Sequence, residues 1–128
     1  MVAIFISFLT VVLSSNFFII SYQINGINRL VLSAPISLFE TAINLFDIDE
    51  DIGPTFDREI LEDNITSYFD YHMPRYTRNY SIEFYYYDPI DHSIELSENA
   101  KAVEVIVDAE LVLSYYYEKT MYYEIWSN

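Results

Sequence analysis

The chain has 128 residues, with 20 acids against six Lys and Arg, a formal net charge of −14 and no cysteine. That is one domain's worth of chain, and its charge repels nucleic acid, which needs cations on its phosphates. Without cysteine there is no disulfide framework, thiolate metal site or thiol nucleophile.

Met1 to Ile24 carries no charged side chain, and Arg29 is the first charge in the sequence. From Val2 to Tyr22 the chain is mostly Val, Ile, Leu and Phe, broken by Ser7, Thr10, Ser14, Ser15, Asn16 and Ser21. About 20 such residues in a helix cross a hydrocarbon core of ~30 Å, and hydroxyls that bond back to helix carbonyls are tolerated there. The stretch reads as a transmembrane anchor over 1–24, with residues 2–22 in the membrane. A cleaved signal is the other reading, with Val12-Leu13-Ser14 before Ser15 as its cleavage site. The apolar run continues past that site through Phe17, Phe18, Ile19 and Ile20, which favours an anchor. Arg29 after the span leans towards a cytoplasmic C-terminal part. The short amino end followed by a folded domain is a signal-anchor layout, and the expectation is an extracytoplasmic domain.

Residues 25–54 read as a stalk helix and an acidic turn. Gly26 is a soft point. Leu30, Val31, Ala34, Leu38, Ala42 and Leu45 line one side of a helix that runs to Phe46, either continuous with the span and kinked at Pro35 or restarted there. In Asp47-Ile48-Asp49-Glu50-Asp51-Ile52-Gly53-Pro54, the alternating Asp47, Asp49 and Asp51 resemble the first ligands of a calcium loop. The match slips further on, because Gly53 and Glu59 each fall one position late. These three aspartates are the calcium candidates, weighed against a solvated acidic turn.

Residues 55–128 read as an α+β ectodomain. Thr55 or Asp57 caps a helix over 55–73 that Pro74 stops. Its apolar stripe is Phe56, Ile60, Leu61, Ile65, Tyr68 and Phe69. Antiparallel strands then fill 80–126: Tyr80–Tyr87, a short return at Ser93–Leu96, Ala102–Leu113, and Thr120–Trp126 after a bend at Ser114–Lys119. In the third of these Val103, Val105, Val107, Ala109, Leu111 and Leu113 share one face, while Glu104, Asp108 and Glu110 meet water. The fold class is therefore α+β: an N-terminal transmembrane and stalk helix, then a helix packed on a small antiparallel β-sheet.

Chemistry-bearing patterns are sparse. His72 and His92, with Asp70, Asp88 or Asp91, could hold a metal, but two histidines in polar turns are more often solvated. There is no nucleophile motif, phosphate loop or zinc-protease pattern, so no enzyme is expected. Asn64-Ile65-Thr66 and Asn79-Tyr80-Ser81 match the glycosylation acceptor pattern. Of 13 tyrosines, the runs Tyr85–Tyr87, Tyr115–Tyr117 and Tyr122–Tyr123 place Tyr on both strand faces. Tyr is enriched in interface cores, and this Tyr-rich sheet is the expected contact for protein partners.

The order of parts resembles small single-span pilin-like proteins, including the minor pilins of Tad-type pilus systems. The resemblance covers nearly the whole chain and lies in layout, since Met1 to Ile24 lacks both a processing-site motif and the Glu that follows one. It implies a structural or assembly role at the cell surface without a cofactor. An exported, calcium-dependent binding module is the alternative.

Overall fold

A computed structural model describes residues 2–49, 53–88, 93–95 and 100–125, without the side chains of residues 44–49. It has the expected α+β layout. Helix α1, Val2–Leu32, runs 31 residues without interruption. Its apolar window is long enough to cross a membrane and wholly unburied, a test that signal sequences near an N-terminus also pass. The hydroxyls of Ser7 and Thr10 donate to the carbonyls of Ala3 and Ile6, each at 2.9 Å, as a helix in lipid requires of its polar side chains.

The second half of α1 is part of the domain. Ile20 and Ile24 pack at the edge of the core, and Ile27 and Val31 lie inside it. The apolar stretch and the start of the expected stalk are therefore one continuous helix, one of the two arrangements open to the sequence. Gly26 is not a soft point: it sits within this helix, buried under the ring of Tyr76. Arg29 lies in the last turn, where the helix dipole favours a cation.

The expected helix from Leu30 to Phe46 ends at Leu32. Pro35 offers no N–H, and one further turn follows, α2, Ser37–Glu40, which buries Phe39. Ile43 onward is extended: β1, Ile43–Asp49, pairs antiparallel with β2, Gly53–Phe56. A short apolar run is ambiguous between helix and strand by periodicity, and pairing with Gly53–Phe56 decides for strand. Phe56 N–H donates to Ala100 O and Asp57 N–H to Ala42 O, which ties the hairpin to the rest of the domain.

Helix α3, Arg58–His72, starts at Asp57, whose carboxylate accepts from Ile60 N–H at 3.3 Å. Leu61, Ile65 and Phe69 recur every fourth residue, and all three are fully buried, as is Met73 in the following 3-10 turn. Ile60 of the expected stripe is exposed instead. Asn64 also faces the domain: its amide donates to Leu38 O and Thr41 Oγ1 at 3.2 and 3.0 Å, holding α2 against α3.

The sheet is a meander in the order β3-β4-β5: β3, Tyr80–Tyr87, β4, Ala102–Glu110, and β5, Tyr116–Glu124. In register, Ile82, Val107 and Lys119 lie side by side, as do Phe84, Val105 and Met121, and Tyr86, Val103 and Tyr123. This inner face packs on α1 and α3. β4 ends at Glu110, short of the expected Leu113, and β5 begins four residues before the expected Thr120. The tyrosines at 116 and 117 favour pleated backbone, so the turn contracts to Leu111–Tyr115, where Leu111 N–H donates to Tyr115 O at 2.6 Å. Leu113 and Ser114 there have φ of 59° and 57°, a left-handed conformation that costs a non-glycine residue roughly 1–2 kcal/mol. Of the expected return strand, residues 93–95 are described and meet β3 through a bridge between Tyr87 and Ile94, with Asp88 N–H donating to Ser93 O and Glu95 N–H to Tyr86 O, while Leu96 lies outside the described residues.

Contacts along α1 give the domain a near end and a far end. Gln23 Nε2 donates to Tyr76 O at 2.8 Å, and Gln23 Oε1 accepts from Val112 N–H at 3.2 Å. Tyr68 Oη donates to Leu30 O further on, and α3 reaches α2 last. Tyr123 lies at the far end, stacked on Phe39 with ring centroids 4.9 Å apart. The near end, where α1 enters the domain, thus holds the end of α3, the start of β3 and the β4–β5 turn.

Candidate functional site

Two surfaces stand out. The first is the outer face of the sheet. Register puts Ser81, Asp108 and Glu118 in one row, Glu83, Ile106 and Thr120 in the next, then Tyr85, Glu104 and Tyr122, then Tyr87, Ala102 and Glu124. These rows hold five carboxylates and no Lys or Arg. Asp108 and Glu118 oppose each other directly, a like-charge pairing that weakens a sheet.

The tyrosines of this face are tied to the acids. Tyr85 Oη donates to Glu83 at 2.9 Å and Tyr122 Oη donates to Glu124 at 3.3 Å. The Glu83 carboxylate raises the Tyr85 pKa chiefly through that hydrogen bond. Desolvation, then Glu104, raises Tyr87, and desolvation, then Glu124, raises Tyr122. Each phenol stands beside a carboxylate of the same face. The face offers aromatic area with carboxylate oxygens between the rings, a surface suited to cationic groups.

Other tyrosines have structural work. Tyr86 is buried, donates to Glu62 at 3.2 Å, and has the Arg58 guanidinium 4.1 Å above its ring. Arg58 also donates to Glu95 O at 2.8 Å. Burial, followed by the Glu62 carboxylate, pushes the Tyr86 pKa upward. Tyr117 and Tyr123 pack against the core. The three tyrosine runs therefore divide by parity: Tyr85, Tyr87 and Tyr122 face outward with Tyr116, and Tyr86, Tyr117 and Tyr123 face inward.

The second surface is the first half of α1, where Val2, Ile4, Phe5, Phe8, Val11, Leu13, Phe17 and Phe18 are each more than half exposed. No described residue covers them. The sequence pattern does not reveal how this surface joins the domain. Gln23 and Tyr76 make the joint, and they are 53 residues apart.

For the calcium candidates, Asp47 and Asp49 lie on the backbone of β1, where Asp49 pairs with Gly53. Their side chains and all of Asp51 lie outside the described residues, as does His92. His72 packs between the rings of Tyr68 and Tyr71. Among the described residues no three His, Asp or Glu are placed to hold a metal ion. Comparisons with protein-family models, curated proteins and solved structures gave no match.

Proposed function

We propose that this chain is a single-pass, membrane-anchored assembly subunit, pilin-like in layout, that acts through contacts rather than catalysis. One observation carries the reading: a single unbroken helix is bare and apolar through its first half and built into a domain core through its second. A cleavable leader has no reason to continue into a core. Cleavage at Ser15 would leave Phe17, Phe18 and Ile19 as an uncovered apolar end, which is costly in water.

The continuous helix makes domain orientation follow helix orientation. A subunit of this design can be placed by packing its bare half in a bilayer or beside other helices, and its sheet face is then presented at a fixed angle. The acidic, tyrosine-bearing face suits a protein partner with Lys or Arg at its contact surface. The domain lies on the extracytoplasmic side.

Site-specific photo-cross-linking in native membranes tests the reading. A cross-linker at Thr120, in the middle of the outer face, should give a discrete adduct with another protein or another copy. One at Glu59, on the opposite layer, should not. Equal patterns of diffuse labelling at both positions would remove the assembly reading.

A further inference from the structure

The near end of the domain carries an exposed apolar and aromatic rim. Leu113, at the tip of the β4–β5 turn, is 68% exposed, and so is Tyr116; Tyr115 and Tyr22 are about half exposed. Arg75 and Arg78 are exposed on the same end. Its position relative to the apolar helix is fixed by the two hydrogen bonds of the Gln23 side chain, one to Tyr76 O and one from Val112 N–H, the residue next to Leu113.

On the anchored reading the span is residues 2–22, which at 1.5 Å per residue rises about 30 Å, matching a hydrocarbon core of ~30 Å. Gln23 therefore stands where a membrane-embedded α1 leaves the hydrocarbon. No linker separates that point from the domain, because Ile24, Ile27 and Val31 of the same helix already belong to it. β4 runs towards this end and β5 runs away from it, so the turn joining them points back along α1 towards the membrane.

The geometry points to this rim as a second membrane contact: Leu113 enters the lipid interface, with Tyr22, Tyr115 and Tyr116 at headgroup level. This rests on the anchored reading of α1. Three features select lipid. Tyrosine concentrates at membrane–water interfaces, where its ring is half in apolar surroundings and its hydroxyl is wet. The turn holds a leucine outward in a left-handed conformation that glycine or asparagine would adopt with less strain, so polar solvent alone does not explain the residue. Arginines at the rim can lay their stems along the interface with their heads in water. Apolar burial drives the contact, so neutral phosphatidylcholine suffices as the surface. The single helix then cannot swivel freely in the bilayer, because the rim holds the domain to one tilt.

The chain has no cysteine, so a single introduced thiol can be labelled uniquely. The full-length protein is reconstituted in phosphatidylcholine vesicles with an environment-sensitive fluorophore at Leu113→Cys, Phe8→Cys or Thr120→Cys. Quenchers are placed either near the headgroups or deep in the acyl chains. The expected result is a blue-shifted probe at 113 quenched best by the shallow quencher. The probe at 8 should be quenched best by the deep one, and the probe at 120 by neither. Quenching at 8 with none at 113 would overturn the rim contact and leave the anchor standing. No quenching at either site would sink the anchor itself, and the rim proposal with it. A blue shift at 113 that is insensitive to lipid quenchers and vanishes on dilution of the protein would assign the rim to a second copy, also overturning the proposal. Leu113→Asn, a polar residue that tolerates the same backbone, separates lost contact from lost fold: with the fluorophore moved to Ser114→Cys in both proteins, the Asn variant should keep its far-ultraviolet circular dichroism while the probe loses its quenching by the shallow lipid quencher.

Discussion

Replacing Gly26 by Ala tests the joint between anchor and domain. A Cβ at this position would lie 2.0 Å from Tyr76 Cε1 and 2.3 Å from Cζ, where carbon atoms prefer about 3.5–4.0 Å. The ring must therefore move by roughly 1.5 Å to restore that separation. It is hemmed in by Tyr22, with ring centroids 5.4 Å apart, and its backbone is held by Gln23. Overpacking of this kind costs about 1–3 kcal/mol, against a helix-propensity gain of about 1 kcal/mol for Gly→Ala. The net is a loss centred near 1 kcal/mol, or about 4–8 °C in midpoint for a domain of this size. In a Tyr76→Ala background the obstruction is gone and only the propensity gain remains, so the sign of the Gly26→Ala effect reverses. The assay is thermal unfolding of the four full-length proteins in mild detergent, followed by near-ultraviolet tyrosine dichroism. Additive effects, with Gly26→Ala equally stabilising in both backgrounds, would refute the close approach and with it the rigid joint.

Phe69→Ala, which empties a fully buried site between α3 and the sheet, should cost about 3–5 kcal/mol in denaturant unfolding; a loss below ~1 kcal/mol would contradict the packing. Burial, and then the Asp70 hydrogen bond and charge, push Tyr80 up to about 12 from an ordinary value near 10. Its contribution to stability is then complete below pH ~10, where both states are protonated. It is lost as pH rises from about 10 through 12, because the unfolded chain releases the proton first. Tyrosinate absorbance should show late-titrating phenols, fewer of them in Asp70→Asn, and titration of every tyrosine near 10 in a still-folded protein would contradict this. Calcium at millimolar concentration should leave the unfolding midpoint unchanged. A ligand at 100 times its Kd would add ~2.7 kcal/mol, so a clear rise that Asp49→Asn abolishes would favour the calcium-binding reading instead.

Periodicity made much of this architecture readable. The charge-free stretch gives the bare half of α1, and the alternation from Val103 to Ala109 gives the buried face of the central strand. Pro74 marks the end of α3 and Asp57, not Thr55, its cap; Thr55 and Phe56, expected in the helix, belong to β2. Local patterning cannot show where one helix changes environment, however. Ile24, Ile27 and Val31 read equally well as lipid-facing, stalk or core residues, and what makes them core is a sheet that begins some 50 residues later. The same limit explains Ile43–Phe46, whose strand conformation depends on pairing with β2, and Leu113, whose alternation with Val107 and Ala109 suggests continued strand. The turn that breaks this alternation makes a contact remote in sequence, with Gln23 accepting from Val112 N–H. Of the candidate surface, the tyrosine runs were visible in the sequence. Their carboxylate partners across the strands required the register.

The central claim is that α1 stays attached and holds the domain at the outer membrane surface. Protease treatment of intact cells making the full-length protein with a tag after Asn128, alongside membrane fractionation, tests it most directly. The account predicts a membrane-bound product whose tag is removed from outside. A tag protected in intact cells and cleaved only after lysis would put the domain in the cytoplasm, and a soluble, shortened product in the medium would mean that α1 is cut; either result contradicts the account.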